Sequence, residues 1–456
     1  MKKRNIRWNT MQILALGFMG VILAGGVLLS LPFCNRQPIT FSDALFTSTT
    51  AVCVTGLVTV TPAVQFTLAG QIILLILIQI GGLGIIACAV GFLLLLRRQI
   101  TVKERIVIQE TYNMEAPGGM VAMILRVIKG TLAVETAGAV LYAFRFIPEF
   151  GVLRGIWYAV FHAVSAFCNA GIDILGDTSF QKYVGDPIIN ITTVLLIIVS
   201  GIGFSVWQDL ISNGRRIRRR EIPNKWWFTR LRLHSKLAIV TTLILLIGGT
   251  VCIFLMERNN PATLGNLSTG EKWMAAFFHS TSTRTAGFAT VSQSGLYTQS
   301  KFLSCILMFI GGSPGGTAGG VKTTTVAMVV LTCLSVFRGG EQVECFGRRL
   351  SGKNIRMGFA VIMTAVTVLF AGTIAITVFE PQVPFIDILY EAFSAVGTVG
   401  LTADLTPTLS SASHMVLIVM MYIGRIGPIS LALLFGGMSK PKERARELPE
   451  QRIMVG

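Results

Sequence analysis

AVCVTG at Ala51–Gly56 is one of four copies of a short stretch ending in glycine; the others are AFCNAG at Ala166–Gly171, STRTAG at Ser282–Gly287 and AVGTVG at Ala395–Gly400. An aromatic stands ten residues before each glycine (Phe46, Phe161, Phe277, Tyr390). A small residue stands five before it, and an apolar one directly after it (Leu57, Ile172, Phe288, Leu401). Recurrence at about 115 residues marks one unit written four times, and such a period governs the fold.

The composition says where these units sit. The chain has 456 residues, 52% hydrophobic and only 13% charged, with mean hydropathy +0.67. That is too little polar surface for a soluble protein of this size, so the expected class is a polytopic membrane protein. Its apolar runs suffice for helices of about 20 residues. No cleavable signal pattern precedes the first run, which is expected to be a true span. The net charge of +17 does not point to nucleic acid, because 29 of the 39 Lys and Arg fall at the termini and in the connections between units. Eight others fall on the opposite face, and Lys322 and Arg425 lie within apolar segments. By the positive-inside rule the termini and connections are cytoplasmic and the localisation is the cell membrane. The densest run, Arg215–Arg220, reads as a topology signal or as a docking site for anionic lipid or a cytosolic partner. The eight cysteines lack metal or disulfide spacing and read as small buried hydrophobes.

Taken in order, residues 11–31 form a first span. A segment of about ten residues, Ala44–Val52, follows and is too short to cross a bilayer. It leads into VTGL as a re-entrant helix, and 68–96 returns as a second span stopped by Arg97 and Arg98. The unit recurs at 131–147, 156–167 and 187–207; at 237–256, 272–283 and 302–337; and at 357–379, 387–396 and 413–437. The expected fold is all-α: four helix, pore-loop, helix repeats around a pseudo-fourfold pore, with eight transmembrane helices and four re-entrant half-helices. The repeats occupy 10–98, 99–210, 211–340 and 341–440, with a cytoplasmic tail at 441–456.

Four extended loops around one axis direct backbone carbonyls at a common lumen, where they replace the hydration shell of a monovalent cation. Glycine permits the backbone angles without obstructing the lumen. The half-helices point their negative C-terminal ends at the same place. Carboxylates of the outer loops, from Glu149 and Asp173 to Asp404, form a mildly acidic mouth. Asp43 and Asp387 read as N-caps of half-helices.

These loops, the glycine-rich break in the sixth span and the arginine in the eighth resemble the Trk/Ktr/HKT superfamily of potassium transporters, over residues 10–456. The resemblance implies that the filter is formed by Val54, Thr55, Gly56 and Leu57; Asn169, Ala170, Gly171 and Ile172; Thr285, Ala286, Gly287 and Phe288; and Thr398, Val399, Gly400 and Leu401. A glycine in all four positions resembles the potassium-selective members. The start at the first repeat and the ending ELPEQRIMVG resemble the Ktr-type membrane subunit. That implies a homodimer in the bilayer, seated on a cytosolic ring of RCK-type regulatory subunits that bind ATP or ADP. This chain has no Rossmann unit of its own, binds no cofactor by this reading, and takes potassium, with sodium left open, as the transported ion.

The sixth span is interrupted by GGSPGGTAGGVKTTT, Gly311–Thr325, which cannot remain helical: glycine costs about 1 kcal/mol and proline about 3 in a helix interior. Family resemblance makes Gly311, Gly312, Pro314, Gly315, Gly316, Gly319, Gly320 and Lys322 an intramembrane gate; a packing kink is the plainer reading. The stretch approaches a phosphate-binding G-x-x-x-x-G-K-[ST] loop but misses it by Val321. Arg425, at mid-membrane, reads as an electrostatic barrier lining the pore, or as a charge that snorkels or is paired. The histidines have no ligand spacing, and no catalytic constellation is present. A coupled secondary transporter with inverted repeats is the rival class; within the superfamily, a sodium/potassium symporter or sodium-permeable transporter is the alternative to potassium uptake.

Overall fold

The computed structural model describes residues 10–85, 87–88, 90, 120–221, 223–340 and 342–427. The Arg97–Arg98 stop, most of the first linker, the far end of the eighth span and the C-terminal tail lie outside the described residues. Apart from a two-stranded hairpin, Glu344–Cys345 with Arg348–Arg349, the described elements are helices.

Among the described residues three helices are long and apolar enough to cross a membrane: Gln12–Ser30, Leu233–Glu257 and Gly352–Phe379. Apolar side chains such as Phe144, Ile244, Ile374 and Val378 stand exposed on helix exteriors. In water that would be a liability; against lipid tails it carries no penalty. Each of these helices, and Met120–Phe150, is followed by a shorter one that packs back on it: Phe41–Cys53, Val152–Cys168, Thr269–Ser282 and Phe385–Gly397. Small residues make the close approach possible. A Cβ on Gly26 would fall 3.3 Å from the Cα of Leu45 in the short helix of the first unit, and in the third unit Ser280 donates from its hydroxyl to the Leu246 carbonyl at 3.0 Å. Ser48 does the same to Ile22 at 2.7 Å in the first unit.

Three expectations need correction. The span expected at 187–207 breaks after Gly201: Phe204–Arg218 leaves Pro187–Gly201 at 94°, because Gly203 adopts φ 97. The cap of the first short helix is Thr40, whose hydroxyl accepts from the Asp43 amide at 3.2 Å; Asp43 lies in the first turn. Asp387 also lies inside its helix and pairs with Lys301 at 2.7 Å. The aromatic spacing holds in all four units, but in the third the buried ring is the neighbouring Phe278, and Phe277 is 37% exposed. In this unit Phe278 stands nine residues before its glycine and the loop-holding Ser282 five, each one nearer than its counterpart in the other units.

Candidate functional site

The four short helices converge with their C-termini on one another, and each hands over to its loop through a left-handed residue two before the glycine: Val54, Asn169, Thr285 and Thr398, at φ between 51 and 69. The glycines themselves have φ of 103, 63, 80 and 94. Their arrangement is cyclic. A Cβ on Gly56 would lie 2.6 Å from the carbonyl oxygen of Ala170; on Gly171, 2.7 Å from that of Ala286; on Gly287, 2.6 Å from that of Val399; and on Gly400 it would collide with that of Thr55. Each glycine thus abuts the carbonyl just before the glycine of the next unit, and the fourth closes on the first. No L side chain fits at these positions, on grounds of both space and φ.

Hydroxyls of the short helices hold the loops. Thr50 and Ser394 accept from the amides of Gly56 and Gly400 at 2.9 and 3.0 Å, while Ser165 and Ser282 donate to the carbonyls of Ile172 and Phe288 at 2.6 and 2.5 Å. Among the described residues, no hydrogen bond ends on the carbonyls of Val54, Thr55 and Gly56, or on their counterparts at 169–171, 285–287 and 398–400. Buried carbonyls are nearly always paired. The buried side-chain atoms Thr55 Oγ1, Asn169 Nδ2, Thr285 Oγ1 and Thr398 Oγ1 are likewise without partners. The ring is therefore a buried collection of carbonyl and hydroxyl oxygens whose acceptor capacity is unused, with the Asn169 amide nitrogen as a free donor beside them. The scaffold hydroxyls Thr50, Ser165 and Ser394 escaped the sequence reading, although each stands six residues before its glycine, and Ser282 was read only as a small residue.

Beneath the ring lies the break in the sixth span. Helix Thr298–Phe309 stops and Thr323–Phe337 resumes, and the loop between them returns to its origin: Gly311 donates to the Val321 carbonyl at 2.9 Å and Thr323 to that of Gly312 at 3.1 Å. The loop is tied to three neighbours. Ser313 donates to Gly201 at 2.8 Å, Phe204 donates to Gly315 at 2.9 Å, and Thr317 Oγ1 donates to the Phe167 carbonyl at 3.1 Å. Gly319 packs directly on Thr398, where a Cβ would overlap the hydroxyl.

Three cations hold the loop's carbonyls. Lys322 Nζ donates to Ala318 and Gly319 at 2.7 and 3.2 Å, which curls the loop on itself. The Arg425 guanidinium donates to Thr317 and to Gly81 and Gly82 at the end of helix Leu68–Leu83. Arg284, counted with the opposite face from sequence, is buried and donates to Thr242 at 3.3 Å and Gly311 at 3.2 Å. None of the three has a carboxylate partner among the described residues. Of the outer carboxylates, Asp186 caps a helix and Glu391 is buried on Thr402 and Thr406. His162 and His279 bond Tyr158 and Ser304 at 2.6 and 2.9 Å.

The TrkH family, described as cation transport protein, matches residues 10–444. The chain is 36% identical to Ktr system potassium uptake protein B of Bacillus subtilis (strain 168), covering 99% of this chain and 98% of that protein. It is 37% identical to potassium/sodium uptake protein NtpJ of Enterococcus hirae, covering 100% and 99%. The structure is similar to that of the potassium transporter TrkH from Vibrio parahaemolyticus, with TM-score 0.72, 18% identity, and 96% and 87% of the two chains covered. The chain belongs to the TrkH family of cation transport proteins.

Proposed function

We propose that this chain carries potassium into the cell through the ring of loops at Gly56, Gly171, Gly287 and Gly400. As a family member it is a multi-pass membrane transporter and not an enzyme. The reading of the site rests on one observation: a closed ring of buried carbonyls that accept no hydrogen bond. Such oxygens are matched to a cation that gives up its water, and nothing larger fits between loops in mutual contact. Four helix, pore-loop, helix units around a pseudo-fourfold axis are the architecture in this proposal, with eight spans and the termini and linkers on the cytoplasmic side. The relatives named for potassium uptake are alike over their full length.

The loop 311–322 is the gate in this reading, closed in the described conformation. Arg425 acts as a latch and positive barrier at once, since its guanidinium bridges the loop to helix Leu68–Leu83. A cytosolic nucleotide-binding ring would release it, acting on a dimer of this chain. Sodium is the second reading, favoured by the relative named for potassium and sodium uptake.

The test is cation flux into proteoliposomes holding this chain, with potassium, rubidium and sodium compared, with and without the regulatory ring. Potassium and rubidium flux well above sodium is expected. Equal flux of the three, or none with the ring present and the protein folded, overturns the reading.

A further inference from the structure

Helix Phe204–Arg218 and the turn after it take no part in the proposed pore. The arm leaves the apolar helix Pro187–Gly201 at 94° and buries Phe204, Val206 and Asp209. Its far end is basic, with Arg215, Arg216, Arg218, Arg219 and Arg220 all exposed. Among the described residues only Arg216 of these has a carboxylate partner, Glu221 at 3.4 Å. The turn that follows exposes two adjacent tryptophans, Trp226 at 46% and Trp227 at 44%. It is fixed to the arm, because the Arg232 amide donates to Asp209 at 2.9 Å.

The two adjacent indoles expose apolar ring surface, with the Arg230 guanidinium 6.0 Å over the Trp226 ring, and the arm presents a run of hydrated guanidinium groups. At a membrane boundary both find partners. Indole rings settle at headgroup depth, and a guanidinium offers paired donors to phosphate oxygens. The 94° bend turns the arm away from the axis of the span, as a helix lying along an interface requires. The span itself is lipid-facing on the same chain segment, with Ile188, Ile191 and Leu195 exposed, and Ile211 continues this apolar exposure onto the arm.

The elbow between span and arm is also where the loop 311–322 is held. Phe204 donates to Gly315 at 2.9 Å and Ser313 to Gly201 at 2.8 Å. A Cβ on Gly203 would lie 2.6 Å from the Pro314 carbonyl, and one on Gly316 would lie 2.7 Å from that of Ser200. With no free space between them, a tilt of the arm displaces the loop.

We infer that the basic arm and its tryptophan turn form a binding surface for anionic phospholipid headgroups, and that occupancy of this surface biases the loop 311–322 through the Gly201–Phe204 elbow. The second half rests on the transport reading above; the first does not. Charge complementarity and continuity with a lipid-facing helix favour lipid over a protein partner.

The test uses full-length protein in nanodiscs of phosphatidylcholine doped with phosphatidylglycerol. Retained phosphatidylglycerol is counted by native mass spectrometry. Glutamine at 215, 216, 218, 219 and 220 together, or Trp226→Ala with Trp227→Ala, is expected to lower retention about tenfold, whereas lysine at the five arginine positions keeps most of it. Equal retention by the glutamine variant and the parent overturns the binding surface. So does unchanged retention combined with loss of the regulatory ring on co-purification, which assigns the arm to a protein. In proteoliposomes, potassium flux of the parent is expected to change with phosphatidylglycerol content and that of the glutamine variant is not; parallel responses overturn the coupling. Absence of flux in every lipid refutes the transport reading instead, and the lipid count still decides the surface.

Discussion

Gly287→Ser puts the ring to its sharpest test. Gly287 has φ 80, and a Cβ there would lie 2.6 Å from the Val399 carbonyl oxygen, whereas ordinary contact begins at 3.4 Å. The difference, 0.8 Å, is the least by which the third and fourth loops must separate. A left-handed backbone costs an L residue about 1–2 kcal/mol more. If that strain is relieved by opening the ring, the preference for potassium over sodium falls by roughly 5–30-fold. The effect reaches one carbonyl of the fourth loop directly and the others through the closed circle. The assay is paired potassium and sodium flux in proteoliposomes, with monodisperse protein and the regulatory ring added. Gly248→Ser is the control, since nothing lies within 4 Å of a Cβ at that helical position. A well-folded Gly287→Ser variant with an unchanged ion ratio would refute the assignment of this loop to the filter.

Arg284→Ala leaves the Gly311 carbonyl without a donor, worth about 1–3 kcal/mol when buried, while the Thr242 carbonyl keeps its place in helix Leu233–Glu257; flux of the chain without its ring is expected to rise, with Arg284→Lys closer to the parent. Arg425→Gln frees Thr317 and the Gly81 end together and should raise the same unregulated flux, measured by rubidium uptake. Lys301→Met strands Asp387, whose pairing at 2.7 Å is mostly buried; a loss of about 3–5 kcal/mol is expected as a lower unfolding temperature in detergent, with ion preference unchanged. The Ser410 hydroxyl and amide and the Ser413 hydroxyl hold the Glu380 carboxyl below its ordinary value. That stabilisation is present above the ordinary carboxylate range and is lost as pH falls through the lowered value, so acid should lower the unfolding temperature of the parent more than that of Glu380→Gln.

What was legible in the sequence follows from which physical demands leave a residue-type signature. The ring requires positive φ and no side chain at Gly56, Gly171, Gly287 and Gly400, and only glycine meets both, so the motif was visible at once. The break in the sixth span was visible because six glycines and a proline in ten residues defeat any helix. The bend after Gly201 was not, since its two glycines sit in a run as apolar as an unbroken span. Thr50, Ser165 and Ser394 were overlooked because serine and threonine inside a helix ordinarily return their hydroxyls to the helix itself. Arg284 was misplaced because its partners, Thr242 and Gly311, are carbonyls 42 and 27 residues away, and carbonyls have no sequence signature. The one-residue offset of the third unit hid Phe278 behind Phe277.

The loop 311–322 leaves its helix and rejoins it at one neck, where Gly311 meets Val321 and Gly312 meets Thr323. A flap hemmed in this way can swing without drawing chain from either half of the span. Neither helix has to slide through lipid, so the bilayer does no mechanical work on each opening. Its rate would then follow the breaking of a few local hydrogen bonds, on the timescale of loop motion, and should depend little on bilayer thickness.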